Sequence, residues 1–384
     1  MSAIYLDYNA SAPVRPEAAQ AVARALSLGG NPSSAHAAGR AARALVEQAR
    51  AEVAALVAAP ASTIVFTSGG SEANALAIES AVAAGSRRLI VSAIEHDSVR
   101  ETAAASGTAV ELLPVDRNGV ADLGWLAERL ARWDLADGRP FVALMAANNE
   151  TGVIQPVAKA AELVRAADGW LHVDAVQAAG KIALDSRALG ADTLSVSAHK
   201  LGGPQGVGAL TFGPRAVLSR RQHGGGQERG RRGGTENVPG ISGFGAAAKA
   251  SLQALDRSGD IEAAWRDAAA ARLKAAGAKV MGEAAPRLTN TLCVATPGFS
   301  SETQVMALDL AGVMVSAGAA CSSGKVKASP VLAAMGQGEL AGCGIRVSGG
   351  WATTEPDWRR FAEAWADAHA RHAARRVRAT AGAA

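Results

Sequence analysis

The chain has 384 residues, too many for one ordinary hydrophobic core and suited to a large domain with a smaller one. Apolar residues make up 49% and charged residues 19%, a balance that favours a packed soluble protein over a disordered one. The 39 basic residues face 35 acidic ones, and the excess is local to HGGGQERGRRGG at 223–234 and to the tail at 358–378. No zinc-finger, RNA-recognition or helix-turn-helix signature accompanies it, so a solvated surface is expected and no nucleic-acid partner.

The opening MSAIYLDYNASAP carries Asp7 and lacks the apolar segment of a secretory signal. No later run reaches the roughly 18 apolar residues of a membrane helix, so a cytoplasmic protein with no membrane partner is expected. From there to residue 215, β-rich runs alternate with Ala-rich helical patterns. The helical pattern RAARALVEQARAEVAALV (40–57) precedes the strands TIVF (63–66) and RRLIVSA (87–93). After DLGWLAERLARW (122–133), read as helix, come FVALMA (141–146), WLHVDA (170–175), TLSVSA (193–198) and VGALTF (207–212), all read as strands. This alternation predicts an α/β domain with a largely parallel sheet. A Gly- and Arg-rich loop at 214–240 and a helical stretch at 244–275 lead to NTLCVAT (290–296), where a smaller strand-containing domain begins. The expected division is 13–252 for the large domain, and 1–12 with 253–384 for the small one.

Chemistry concentrates at the strand ends. HVDAVQ places Asp174 at the end of one apolar run, and SVSAHK places Lys200 just after another. Ligands of open α/β sheets bind at the carboxyl ends of strands, so both side chains can face one crevice. An aldehyde cofactor needs a lysine, and pyridoxal phosphate also needs a carboxylate at its ring nitrogen. A surface ion pair would use the same two residues. TSGGSEANALAI (67–78) supplies a strand, a glycine pair, Ser71 and a helix start whose free N–H groups suit an anion, with Ser197 and His199 beside Lys200; a plain loop reads the same way. His96 in SAIEHDSV suits ring stacking or a structural role. Asn149 and Gln177 follow further strand ends and suit a ring hydroxyl or a substrate carboxylate.

Three cysteines are too few and too scattered for a disulfide framework, and none has Cys-x-x-Cys metal spacing. Cys293 in TLCVAT reads as core, and Cys343 as structural. Cys321 differs, because SAGAACSSGK is a run of small residues, and Lys325 and Lys327 favour an accessible thiolate. Arg346 in CGIRVS suits bidentate binding of a carboxylate.

With YLDYNASAP (5–13), GNPSSAHAAGR (30–40), GGGQERGRRGGTENVPGI (224–241) and IRVSGG (345–350) added in order and spacing, the chain resembles the cysteine desulfurases. These form part of the class V aminotransferase family, fold type I of the pyridoxal-phosphate enzymes, with a large mostly parallel mixed sheet flanked by helices and a smaller α+β domain. The resemblance implies Lys200 as Schiff-base lysine, His96 over the ring, Asp174 at the ring nitrogen, and Gln177 with Asn149 near the ring hydroxyl. Gly70, Ser71, Ser197 and His199 would hold the phosphate, and Thr235 of the GTEN motif would reach the phosphate of the neighbouring subunit of a homodimer. Asn149 and Arg346 would bind L-cysteine. Cys321 would take its sulfur as a persulfide, leaving L-alanine, and pass it to an acceptor or iron–sulfur scaffold protein. The segment 321–336 is similar to the long-loop group of these enzymes. It departs from them at Ala319, where a serine is common, and at Ser329–Pro330, where Ser-His is common; Pro330 suits the first turn of a helix. Ser71 replaces a common threonine and keeps the hydroxyl. An aminotransferase or selenocysteine lyase on the same fold is the nearest rival, and a scaffold that lost the chemistry is another. A transaminase has no use for a loop thiol, and a scaffold would show a gap among Lys200, Asp174, His96 and Cys321.

Overall fold

A computed structural model describes residues 3–318 and 328–381, with the backbone alone at 256–258 and 377–381. Seven strands form one sheet in the order Ile64–Thr67, Gly208–Phe212, Thr193–Ser197, Trp170–Asp174, Phe141–Ala143, Arg88–Ser92, Ala109–Leu113. Neighbours run parallel except Gly208–Phe212, which is antiparallel to both of its partners. The central strands are buried on both faces, which explains why they read as continuous apolar runs. The period of two remains visible in the packing. Ile90, Val142, Leu171 and Val173 enter one apolar cluster, while their neighbours Leu89, Val91, Phe141 and Trp170 enter a second on the other face.

Six strands lie where the apolar runs predict them. The seventh, Ala109–Leu113, is absent from the sequence reading because it is an edge strand with mostly exposed side chains and a central Glu111. The helix expected over 244–275 instead spans Val238–Ala275. Its start is set by Asn237, whose side chain accepts from Gly240 N, and by a proline in the first turn. The expected division at 252/253 falls inside this helix, which gives Phe244 to the core beside the large sheet and Leu273 to a second core.

That second core gathers Ile4, Leu6, Leu292, Val294, Phe299 and Trp365 around an antiparallel sheet of Ser316–Ala317, Gly344–Ser348, Thr291–Ala295 and Lys279–Val280. The N-terminal segment pairs Ile4–Tyr5 with Val313–Met314 and bridges Asp7 to Ser348. Asp7, Asn9 and Ala10 are thereby held beside the carboxyl ends of the large sheet's parallel strands. Among the described residues no helix is long and apolar enough to cross a membrane.

Candidate active site

The loops that follow Arg88–Ser92, Phe141–Ala143, Trp170–Asp174 and Thr193–Ser197 carry His96, Asn149, Gln177 and Lys200, and these four line one cavity with Asp174. Lys200 ends the turn Ala198–Lys200, and its Nζ donates to Asn9 O at 2.5 Å and Ala10 O at 2.9 Å. Burial, and after it the Arg346 charge, lowers the Lys200 pKa to about 8 against the opposing pull of Asp174 and Asp7. An amine held this way gives up its proton far more readily than a solvated lysine, and the neutral amine is the form that adds to a carbonyl.

Asp174 is buried and surrounded by donors. Val176 N donates to Oδ1 at 2.9 Å, and Asn74 Nδ2 donates to Oδ2 at 2.8 Å. Asn74 Oδ1 accepts from Ser195 Oγ at 2.5 Å and from His172 Nε2 at 3.0 Å. His172 Nδ1 lies 3.0 Å from Thr193 Oγ1, which itself accepts from Trp170 Nε1 at 3.0 Å. Burial holds His172 down at about 4, so its ring is neutral and each nitrogen has one role. The donors therefore run in one direction, from Trp170 to Thr193, His172, Asn74 and finally Asp174. Both Asp174 oxygens meet donors, an environment that suits a carboxylate facing a cationic N–H.

The helix Gly70–Ala83, which also carries Asn74, follows its N-cap Gly69 with no side-chain cap on its first N–H groups. A Cβ on Gly70 would sit 2.8 Å from Val176 Cγ2, so glycine is what lets this helix start abut the end of the strand. Ser71, Ser197 and His199 share the cavity, whose volume is about 240 Å3. Burial, then the neighbouring Lys200 and His96, bring His199 to about 4, so it is neutral and keeps one N–H to donate. His96 caps the helix Asp97–Ala105, its Nδ1 accepting from Ser98 N at 3.0 Å, which leaves Nε2 protonated. His96 therefore caps a helix and also lines the cavity. This donor set fits a phosphorylated pyridine aldehyde: an uncapped helix start and hydroxyls for the phosphate, an amine for the aldehyde, and a carboxylate for the ring nitrogen.

A second cavity of about 200 Å3 adjoins the first and brings Asn9, His96, Asn149, Lys200, Gly318 and Arg346 together. Arg346 is buried on strand Gly344–Ser348; it donates to Asp7 Oδ1 at 2.8 Å and to Asn149 O at 3.3 Å. Its Nε is buried without a partner among the described residues. Cys321, with Ala319, Lys325 and Lys327, lies outside the described residues. Gly318 before that segment and Pro330 after it both line this cavity. Pro330 opens the short helix Pro330–Ala334, capped by Ser329, whose hydroxyl also donates to Glu150 Oε2 at 2.6 Å. Thr235 is exposed and lines neither cavity. Cys293 is buried and its thiol is pushed up by burial, as for core, while Cys343 packs half-buried against the same apolar cluster.

Sequence reasoning missed Asn74, His172, Lys181 and Asn9. A signal existed for the first two: Asn74 lies one helical turn beyond Gly70, and His172 shares a strand face with Asp174. Neither Asn9 nor Lys181 has a pattern of this kind.

The pattern of class-V aminotransferases matches residues 4–361. The chain is 43% identical over 347 residues to a cysteine desulfurase of Cereibacter sphaeroides, covering 87% of each. In structure it is similar to a NifS-like protein from Rickettsia africae ESF-5, with TM-score 0.87, 30% identity, and 96% and 99% of the two chains covered. It is also similar to SspA in complex with cysteine, with TM-score 0.76, 28% identity, and 90% and 98% covered. With a match that spans both cores and every strand end described above, the chain belongs to the aminotransferase class-V family.

Proposed function

We propose that this protein is a pyridoxal-phosphate-dependent cysteine desulfurase that converts L-cysteine to L-alanine and stores the sulfur as a persulfide on Cys321. The observation that carries this reading is the convergence of Lys200, Asp174 and the Gly70 helix start on one cavity, with Arg346 in the adjoining one. When bound, pyridoxal phosphate supplies an aldehyde that captures an amine and a ring that withdraws electrons from the captured Cα. Gly70, Ser71, Ser197 and His199 would hold the phosphate, Asp174 would keep a proton on the ring nitrogen, and His96 would cover the ring. Asn149 and Gln177 would meet the ring oxygen, and Lys200 would bind the aldehyde and move the proton at the substrate Cα. Arg346, helped by Asn149, binds the cysteine carboxylate. The Cys321 thiolate then forms an S–S bond to the substrate sulfur as the substrate C–S bond breaks. The electron pair stays on carbon, which takes up a proton and leaves as alanine.

The working unit in this reading is a homodimer in which Thr235 completes the partner's phosphate site. Supporting it, Thr235 is exposed, and Gln227 Oε1, Arg231 Nη1 and Glu236 Oε2 in the same loop bury polar atoms without partners among the described residues. A sulfur-acceptor or iron–sulfur scaffold protein receives the persulfide sulfur. The cytoplasmic location expected from the sequence is part of the same reading, with cell fractionation as its check. Release of equal amounts of alanine and sulfide from cysteine in the presence of a reductant tests the function. Pyruvate or a new amino acid in place of alanine would instead assign an aminotransferase or another lyase.

A further inference from the structure

Lys181 lines neither cavity of the site, yet its Nζ donates to Gln177 Oε1 at 2.7 Å and to Asn9 Oδ1 at 2.6 Å. The turn that brings it there passes through Gly180 at φ +72°, where a Cβ would fall 2.7 Å from Leu201 Cδ2 and 2.9 Å from Ser251 Cβ. Left-handed backbone against such close walls admits glycine alone.

Both acceptors are amide oxygens, and an amide whose oxygen is engaged has its orientation decided. With Oε1 turned to Lys181, Gln177 Nε2 gives one N–H to Asn9 O at 2.9 Å and keeps the other for the cavity that Gln177 lines. With Oδ1 turned to Lys181, Asn9 Nδ2 donates to Asn149 O at 3.2 Å and to Thr291 Oγ1 at 3.0 Å. The Asn9 carbonyl also receives Lys200 Nζ. One amine thus orients Gln177 and Asn9 directly, and through Asn9 it fixes the backbone of Asn149 and the resting place of Lys200.

Lys181 is half-buried and borders a further cavity of about 330 Å3 that Lys200 and Glu262 also line. Burial, then the charges of Lys200 and Arg346, hold it well below its ordinary pKa, and Glu262 is the weakest influence on it. Its hydrogen bonds survive that shift, because a neutral amine retains two N–H groups and two are what the amides need.

We infer that Lys181 is a positioning residue that holds Gln177 with its carbonyl turned out of the cavity, so that the site offers an N–H, and no acceptor, to the ligand oxygen beside it. The inference rests on the cofactor reading above. The test is a spectroscopic pH titration of the holoenzyme's cofactor band. In Lys181→Met and Lys181→Leu the midpoint should rise by about one unit, a tenfold change in the equilibrium, because an anionic oxygen loses its fixed donor. Lys181→Gln, which keeps an N–H donor without a charge, should restore most of the wild-type midpoint. Lys181→Met/Gln177→Met should shift no further than Gln177→Met alone. An unchanged midpoint in both donorless variants, no rescue by glutamine, or additive shifts would each overturn the inference. A protein that titrates as described but forms no alanine would sink the desulfurase reading and leave this one standing, whereas a protein that takes up no cofactor would sink both.

Discussion

Asn74→Ala is the most informative single change in the donor chain that ends on Asp174. It removes the 2.8 Å bond to Asp174 and strands two donors, Ser195 Oγ and His172 Nε2, on residues with no exposure. A hydrogen bond to a charged group contributes about 1.5–3 kcal/mol, and each buried donor left unmade costs about 1–3 kcal/mol. Water entering the vacated amide volume returns part of this, so a net loss of about 3–5 kcal/mol is expected in urea unfolding followed by circular dichroism. The chain also predicts coupling. Once Asn74 is gone, His172→Leu removes a donor that already lacks an acceptor, so the double variant should lose about 1–2 kcal/mol less than the two single losses taken together. A loss below about 1 kcal/mol in Asn74→Ala, or additivity within about 0.5 kcal/mol, would refute the directional chain.

Lys200 yields a pH prediction with a defined sign. Its folded pKa of about 8 lies below the ordinary 10.5, so between these values the unfolded chain holds more protons and the stability of the cofactor-free protein should rise with pH across that window. Over the same ground, the rate at which the cofactor-free protein captures the aldehyde should climb with pH and level off once pH passes about 8; a rate that keeps climbing about tenfold per unit up to the ordinary lysine pKa of 10.5 would show that Lys200 is an ordinary solvated lysine. For the shared site, mixed dimers re-formed from Thr235→Ala and Lys200→Ala subunits should regain activity that neither parent has, since one of the two sites then carries both native residues. Mixed dimers no better than the parents, with Thr235→Ala itself severely impaired, would refute the placement of Thr235.

The legible part of this molecule is the part that hydrophobic patterning controls. Strands buried on both faces read as apolar runs, and Asp174 at one carboxyl end, with His96, Asn149, Gln177 and Lys200 past this and other ends, do meet in one cavity. The edge strand Ala109–Leu113 was illegible because pairing on one side, and not burial, makes it a strand. Asn74 and His172 carry only a spacing signal, one turn from Gly70 and one strand face with Asp174; their role depends on what the neighbouring element brings to within hydrogen-bond distance. Lys181 is the extreme case. Nothing in AAGK signals that Gly180 reverses the chain and returns the amine beneath Gln177. Arg346 reads from the sequence as suited to a substrate carboxylate, but its bond to Asp7 depends on the N-terminal segment crossing to the small sheet, a long-range pairing that sequence spacing cannot express.

The central claim is that Cys321 accepts the sulfur, and intact-protein mass spectrometry after brief exposure to L-cysteine without reductant tests it most directly. Wild type should gain one sulfur, about 32 Da, that is removed by a thiol and maps to the peptide containing Cys321. Cys321→Ser should bind cofactor, change colour on adding cysteine, gain no sulfur and release almost no alanine, while Cys293→Ala and Cys343→Ala, if folded, should behave as wild type. A Cys321→Ser protein that gains the same mass and forms alanine at the wild-type rate would contradict the account.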